Sequence, residues 1–318
     1  MTEDHTSLDA YAPVDIAARV EAGGVAKASL DTATILALAV LAGAFIALGA
    51  NFATIVFTDS GVGYGLSRLA GGLVFSLGLI LVLVGGAELF TGNILMVMAW
   101  ASGKVFTLQL LRNWALVYAG NFIGALATAY GVYLSRQWAF NGYRVGATAL
   151  TMANAKVQYD FLAAFMLGVF CNGLVCLAVW LSFSARTTTD KILAIIPPIT
   201  AFVAVGFEHS IANMYFIPLG LWLRDNSRVL EMAGRAPEQF ADLTWMGFFR
   251  SNLLPVTLGN LVGGGVLVAA VYWFVYLRRR PDNRFVQLWG RVRSPQARQD
   301  RSEASEDAGG GRAPHRER

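Results

Sequence analysis

The sequence predicts an all-α integral membrane protein with six transmembrane helices. Of its 318 residues, 55% are hydrophobic and only 14% are charged, which is more apolar and less charged than an ordinary soluble domain. Six long stretches carry no charged residue: residues 32–57, 69–87, 114–134, 161–185, 192–207 and 253–277. A helix needs roughly 20 apolar residues to cross a bilayer, so the fifth stretch in order falls short while the others are long enough.

The placement of these spans divides the chain into three parts. Residues 1–30 form a cytoplasmic N-terminal segment, in which residues 13–28 have apolar positions at helical spacing and predict an amphipathic surface helix. Residues 31–280 form the six-span transmembrane domain. Residues 281–318 form a basic cytoplasmic tail, which we expect to be disordered because its end is polar and Gly-rich.

Both termini are predicted on the cytoplasmic side of the membrane. The first thirty residues are polar and lack the basic and then apolar pattern of a signal peptide. An even number of spans returns the C-terminus to the same side, where a cluster of arginines satisfies the positive-inside rule. These are Arg278, Arg279, Arg280, Arg284, Arg291 and Arg293. The net charge of +4 fits anionic lipid headgroups and gives no reason to expect a nucleic-acid partner.

Two motifs occur twice in the chain, in the same order. The first is Gly-x-Glu-x4-Asn, at residues 86–93 and again 120 positions later at residues 206–213. The second is Asn-x6-Gly-Asn-x2-Gly, which begins at Asn113 and again 139 positions later at Asn252. With three spans in each half, the second copy enters the membrane from the opposite side, which predicts an inverted 3+3 repeat. Small residues permit close helix approach, so packing is the role that we expect for the second motif.

The glutamate of the first motif predicts that helices 2 and 5 are broken. Each copy interrupts an apolar run, and a glutamate without a basic neighbour in the sequence is costly at membrane depth. A break frees backbone N–H and C=O groups, which must then be satisfied internally. We therefore interpret Glu88, Asn93, Glu208 and Asn213 as scaffold residues at the breaks rather than as direct contacts to a substrate.

His209 is the strongest candidate for a functional residue. The chain has three histidines, and the other two, His5 and His315, lie in the polar termini. An imidazole titrates near neutral pH, and irregular backbone within a membrane has to face protein or water. We therefore favour a functional role for His209 over that of a buried structural histidine.

Three polar residues are candidate companions of this histidine, and each has a structural alternative. Thr91 either bonds the imidazole or caps the helix that follows the first break. Asn172, in the fourth span, holds His209, lines a path or makes an interhelical hydrogen bond. Lys156 either attracts anions at the outer mouth or extends its charge to the membrane surface.

No metal or cofactor site is predicted. Cys171 and Cys176 lie five positions apart on different faces of one span and should be free thiols. One histidine and two cysteines in the spans provide no cluster of nucleophile, base or metal ligands, which disfavours a membrane enzyme.

Three strings of residues resemble the formate/nitrite transporter family. They are GGAELFTGN at 85–93, VGFEHSIANM at 205–214 and PVTLGN at 255–260, and the resemblance extends over about residues 12–278. It implies an aquaporin-like subunit fold, a homopentamer with one pore in each subunit, and a place in a bacterial inner membrane. Formate is the implied substrate, with nitrite or hydrosulfide as the alternative within the family.

The resemblance also implies roles for individual residues. His209 matches the central histidine of the family, and Thr91, Asn172 and Lys156 match its polar companions. Two apolar constrictions flank this histidine, and they rest on the resemblance because bulky residues in spans usually face lipid or core. The residues that match them are Phe75, Leu79, Leu89, Phe90, Val175 and Phe202.

The implied constrictions give a physical reason for a central histidine. An isolated carboxylate in apolar surroundings is penalised by several kcal/mol or more, whereas a neutral acid avoids this penalty. His209 would stabilise formate and assist its protonation, so that it passes the second constriction as formic acid; a passive channel is the alternative. A water or glycerol channel is disfavoured, because such channels carry paired Asn-Pro-Ala breaks and neither break here has a proline at that place.

Overall fold

The computed structural model describes residues 9–278, and this part of the chain is all-helical. In chain order the helices are α1 (Pro13–Ser29), α2 (Thr32–Phe57), α3 (Tyr64–Gly85), α4 (Phe90–Asn93), α5 (Val97–Ala101), α6 (Thr107–Leu134), α7 (Arg144–Val157), α8 (Phe161–Ser182), α9 (Thr188–Val205), α10 (Ser210–Leu223), α11 (Ser227–Ala233) and α12 (Leu254–Val262). Helix α12 lies within a longer segment, Gly247–Leu277, whose remaining turns are largely π-helical.

Six of these segments are long and apolar enough to cross a membrane, namely α2, α3, α6, α8, α9 and Gly247–Leu277. This confirms the predicted all-α architecture with six membrane-capable helices. Two shorter apolar helical segments, Phe90–Ala101 and Ser210–Leu223, directly follow α3 and α9. The arginine-rich tail predicted at residues 281–318 lies outside the described residues.

Helices α3 and α9 both end at a glycine with left-handed backbone. Gly86 has a φ of 82° and Gly206 a φ of 84°, a conformation that residues with a Cβ rarely adopt. Residues 86–89 and 206–209 are non-helical, and α4 and α10 begin directly after them. The sequence placed each interruption between the glutamate and the asparagine, whereas the helices end earlier because the glycines end them.

Glycines of the second repeated motif lie where helix backbones touch. A Cβ on Gly124 of α6 would lie 2.0 Å from the carbonyl oxygen of Val40 in α2. A Cβ on Gly263 would lie 2.0 Å from the carbonyl oxygen of Val169 in α8. The first and third spans of each half therefore approach closely at equivalent places, as small residues allow.

Each half begins with a helix that is too short or too polar to be a span. Helix α1 precedes α2, and its buried residues Ile16 and Val20 join a core cluster with Met98 of α5. Helix α7 precedes α8 and buries Leu150 and Ala153 in the main core. These two helices supply one lysine each to the helix breaks.

The glycine contacts give a test of the packing in which two positions of one helix are compared. Gly124→Ala should lower the free energy of unfolding by about 3 kcal/mol, because the added methyl group overlaps a backbone carbonyl that cannot move aside. Gly131→Ala is the control, since a Cβ there meets nothing within 4 Å and alanine favours a helix by up to ~1 kcal/mol. SDS-induced unfolding of the purified variants measures both. Equal stability of the two variants would contradict this packing.

Candidate functional site

Two cavities lie at the helix breaks. We call the first, of about 150 Å³, the Lys156 vestibule; its lining includes Arg68, Phe75, Lys156, Phe202, Glu208 and His209. We call the second, of about 180 Å³, the Lys27 vestibule; its lining includes Lys27, Leu79, Glu88, Leu89, Gly92 and Lys191. Helix α3 lines the Lys156 vestibule with its first half and the Lys27 vestibule with its second half, and α9 does the reverse. The two helices therefore run in opposite directions between the cavities.

Four of the residues predicted at apolar constrictions lie on the inner walls of these vestibules. The rings of Phe75 and Phe202 meet edge to face with 5.5 Å between centroids, and the Phe202 ring lies 5.9 Å from that of His209. Leu79 and Leu89 line the Lys27 vestibule. All four apolar side chains are buried, and two of them line each vestibule.

The other two residues predicted at the constrictions, Phe90 and Val175, are buried but line neither vestibule. The Phe90 ring packs edge to face against two rings of α6, with centroids 6.3 Å from Trp114 and 4.8 Å from Tyr118. Both residues belong to the same buried cluster as the constriction residues that line the cavities.

His209 is held by hydrogen bonds at both ring nitrogens. Its Nδ1 accepts from the backbone N–H of Ala212 at 3.1 Å, which caps the first turn of α10. Its Nε2 lies 2.9 Å from Oγ1 of Thr91. Because Nδ1 accepts a hydrogen bond, the neutral ring carries its proton on Nε2 and donates it towards the threonine. The imidazole is thus a buried, oriented donor that joins the two breaks.

Thr91 contacts this histidine directly, whereas Asn172 binds the backbone beside it. The hydroxyl of Thr91 contacts the imidazole, whereas no side chain caps α4. The amide of Asn172 donates to the backbone carbonyls of Thr91 at 3.3 Å and Asn260 at 2.7 Å, so it makes interhelical bonds and does not hold the histidine directly. The thiol of Cys176 donates to the same Thr91 carbonyl at 3.4 Å. These bonds fix the backbone that presents the threonine.

The carboxylate of Glu208 is buried and accepts three hydrogen bonds. It accepts from Nζ of Lys156 at 2.7 Å and from the side-chain amides of Asn213 at 2.7 Å and Asn252 at 3.1 Å. The side chains of Lys156 and Glu208 are only 14% and 3% exposed. A buried carboxylate needs both a counter-charge and hydrogen bonds, and this arrangement supplies both.

Glu88 has similar partners in the first copy of the motif, except that Asn113 bonds Asn93 and not the carboxylate. It accepts from Nζ of Lys27 at 2.5 Å and from the amide of Asn93 at 2.6 Å, and Asn93 also donates to Asn113 at 2.9 Å. The sequence analysis did not single out Lys27. It lies 129 positions before Lys156, an offset that differs from those of both repeated motifs, so the repeat gave no signal for it.

Two asparagines of the second motif bind the backbone that the breaks leave free. Asn121 bridges the residues on either side of Leu89, donating to one carbonyl at 2.9 Å and accepting from one N–H at 2.9 Å. Asn260 bridges the residues on either side of His209 in the same way, at 3.1 Å and 3.0 Å. The prediction that this motif serves packing is wrong for its asparagines, because they satisfy freed backbone groups; its glycines do pack.

Two further cations cap the broken helices, and the sequence analysis missed this role. Arg68, at the start of α3, donates to the carbonyls of Val203 and Ala204 at the end of α9. Lys191, near the start of α9, donates to the carbonyl of Leu83 at the end of α3 at 3.1 Å. Each cation thereby meets the negative end of the other broken helix.

The described residues contain no cluster of side chains suited to bind a metal ion. Within residues 9–278, no group of three or more His, Cys, Asp or Glu side chains is arranged to hold a metal. Cys171 and Cys176 are free and buried.

The buried ion pair at the second break gives a test of the scaffold. Glu208→Gln should lower the free energy of unfolding by about 3–5 kcal/mol, because it leaves Lys156 buried without its counter-charge. Adding Lys156→Met should recover part of that loss. Asp59→Asn, which breaks an exposed pair with Arg144, should cost no more than about 1 kcal/mol. A double-mutant cycle by SDS-induced unfolding measures the coupling, and a Glu208→Gln variant as stable as Asp59→Asn would contradict the scaffold role.

Comparison with known proteins identifies the family of this chain. Residues 14–274 match the model of the formate/nitrite transporter family. The chain is 43% identical over 274 residues to the formate channel FocA of Escherichia coli strain K12, covering 85% of this chain and 96% of that protein. It is 45% identical over 230 residues to FocA of Haemophilus influenzae, covering 71% and 81%. Among solved structures it resembles a pentameric formate channel with formate bound, with a TM-score of 0.73 and 44% identity over 78% of this chain and 98% of that one. The chain belongs to the formate/nitrite transporter family.

Proposed function

We propose that this protein carries formate across a bacterial inner membrane, through a pore in each subunit of a homopentamer. The observation that carries the proposal is the place of His209, a buried hydrogen-bond donor that lines one vestibule and bonds Thr91, whose neighbour Gly92 lines the other. The relatives that are named formate channels, and the solved pentamer with formate bound, support this substrate and this assembly. Lipid surrounds the pentamer, and both termini lie in the cytoplasm.

The scaffold of the pore is an inverted repeat of three and three spans, in which helices 2 and 5 are broken. The duplicated partners of Glu88 and Glu208, and the opposite directions of α3 and α9, support this arrangement. The residues of each break line one vestibule. The two breaks meet at the hydrogen bond between His209 and Thr91.

Both vestibules favour small anions. The described lining of each contains two cations and one carboxylate. These are Arg68, Lys156 and Glu208 in one vestibule and Lys27, Lys191 and Glu88 in the other. A net positive charge in a cleft with low-dielectric walls raises the local concentration of anions, so formate is attracted from either side of the membrane.

The apolar constrictions oppose the passage of the bare anion. A carboxylate loses much of its hydration between Phe75 and Phe202 or beside Leu79 and Leu89, at a cost of several kcal/mol. The same residues oppose a neutral small acid much less. The constrictions, together with the buried Phe90 and Val175, therefore favour a substrate that is neutralised by protonation between them.

His209 provides the site at which formate is protonated. An arriving formate accepts hydrogen bonds from Nε2–H of His209 and from the hydroxyl of Thr91, while Asn172 holds the threonine in place. A proton from water of the vestibule adds to Nδ1, which then no longer accepts from the N–H of Ala212. The imidazolium passes its Nε2 proton to formate, which gives formic acid and a neutral ring with its remaining proton on Nδ1. The acid passes the second constriction, and loss of the Nδ1 proton to water with uptake of one at Nε2 restores the first tautomer.

Uptake of radiolabelled formate into liposomes that hold the purified protein tests the function and the role of His209. His209→Phe keeps apolar bulk but deletes the titratable group, so uptake should fall more than about tenfold at every pH. His209→Asn keeps hydrogen bonding and should retain part of the flux without its rise on acidification. His5→Asn is the control, since this histidine precedes the spans in the sequence. Flux through His209→Asn that rises on acidification as in the parent would show that another group handles the proton.

Size selectivity tests the constrictions. Phe202→Ala and Leu89→Ala should each admit lactate at rates raised by roughly tenfold, because removing apolar bulk lowers the barrier by more than ~1 kcal/mol. Leu193→Ala is the control for α9, since the Leu193 side chain is 61% exposed and lines neither vestibule. Uptake of lactate and formate into matched liposomes gives the ratio. An unchanged ratio in both constriction variants would mean that these residues do not line the path.

A further inference from the structure

The Lys156 vestibule has an aromatic wall that the Lys27 vestibule lacks. Six aromatic side chains line it, namely Phe57, Phe75, Tyr159, Phe202, Phe207 and Phe216. In the described lining of the Lys27 vestibule, Phe183 is the one aromatic side chain, and the remaining apolar lining is aliphatic. The scaffold is duplicated in the two halves, so it does not by itself require this difference.

Formate does not need such a wall. It has a single carbon and binds through charge and hydrogen bonds, which both vestibules offer. A volume of about 150 Å³ is also that of an engineered apolar cavity that binds benzene. The wall therefore suits a ligand with a flat apolar body larger than formate.

The two cations of this vestibule each lie over one of the rings. The Cζ of Arg68 lies 4.9 Å from the centroid of Phe57, and Nζ of Lys156 lies 5.2 Å from that of Phe216. These contacts hold both charges beside the aromatic wall. The Nε and Nη2 of Arg68 donate to carbonyls at the end of α9, whereas its Nη1 has no hydrogen-bond partner among the described residues. A carboxylate beside Phe57 therefore meets an available N–H donor.

Two further lining side chains, Tyr159 and Phe207, add to this surface. The pKa of the Tyr159 hydroxyl, in the loop before α8, is raised by burial and by the charge of Glu208. The hydroxyl therefore stays protonated at neutral pH and can donate to a carboxylate. The ring of Phe207 is partly buried and is fixed by stacking on Phe170, with 5.4 Å between centroids. A fixed ring loses little conformational freedom when a ligand packs on it.

We propose that the Lys156 vestibule is a binding site for small aromatic carboxylates, of which benzoate is the simplest. The carboxylate pairs with Arg68 and Lys156, and the ligand ring packs offset or edge to face among the aromatic side chains. Phe75 and Phe202 close the inner end, so a ligand of this size stays in the vestibule and obstructs the path of formate. That obstruction rests on the proposed function, whereas the binding itself does not.

Isothermal titration calorimetry of benzoate into the purified protein in detergent at neutral pH tests the site. Cyclohexanecarboxylate, which lacks the aromatic ring, and benzamide, which lacks the charge, should each bind at least about threefold more weakly than benzoate. Phe207→Leu should weaken benzoate binding roughly threefold to tenfold. Phe183→Leu makes the same change in the Lys27 vestibule and should leave benzoate binding unchanged.

Two results would overturn the proposal. Equal binding of benzoate and cyclohexanecarboxylate would show that the rings do not recognise the ligand, and equal losses in Phe207→Leu and Phe183→Leu would place the ligand elsewhere. If Phe207→Leu fails to assemble, Tyr159→Leu probes the same wall and should weaken binding to a similar extent. Benzoate binding by a protein that takes up no formate would count against the proposed function alone.

Discussion

The structure depends on how a buried carboxylate is satisfied at a break in a membrane helix. Glu88 and Glu208 are 5% and 2% exposed, and an unpaired charge at such a place is prohibitively costly. Each is paired with a lysine of α1 or α7 and accepts from the amide of an asparagine in the helix that directly follows it, α4 or α10. Because these partners come from several elements, the ion pair fixes the positions of those elements as well as the break itself. The glycine contacts then let the first and third spans close around it.

The two copies of the first motif differ at the residue that follows the glutamate. Leu89 and His209 occupy equivalent extended positions, with φ and ψ of −106° and 125° for the leucine and −108° and 114° for the histidine. One break therefore presents an aliphatic side chain and the other an imidazole. Thr91 has Ile211 as its counterpart, so the hydroxyl that bonds the imidazole is also present in one half only. The imidazole and the hydroxyl that bonds it therefore stand on different copies of the repeated motif.

Much of this design could be predicted from the sequence, because its signals are local. Uncharged stretches marked the spans, and the repeated Gly, Glu and Asn marked the breaks. The partners could not be predicted in the same way, because Lys27 precedes Glu88 by 61 residues and Arg68 meets Ala204 across 136 residues. For Asn172 the sequence left three alternatives open, and its amide makes the interhelical hydrogen bonds of the last. The aromatic wall also escaped prediction, since its rings come from α2, α3, α9 and α10 and from the segments that follow α7 and α9.

The central claim is that each subunit contains its own complete path through His209. Pentamers assembled from parent and His209→Phe subunits in known ratios test it most directly, through the initial rate of formate uptake into liposomes. Separate paths predict that uptake falls in direct proportion to the fraction of His209→Phe subunits. A steep fall, in which a single altered subunit removes most of the uptake of its pentamer, would contradict the account and point to a path shared between subunits.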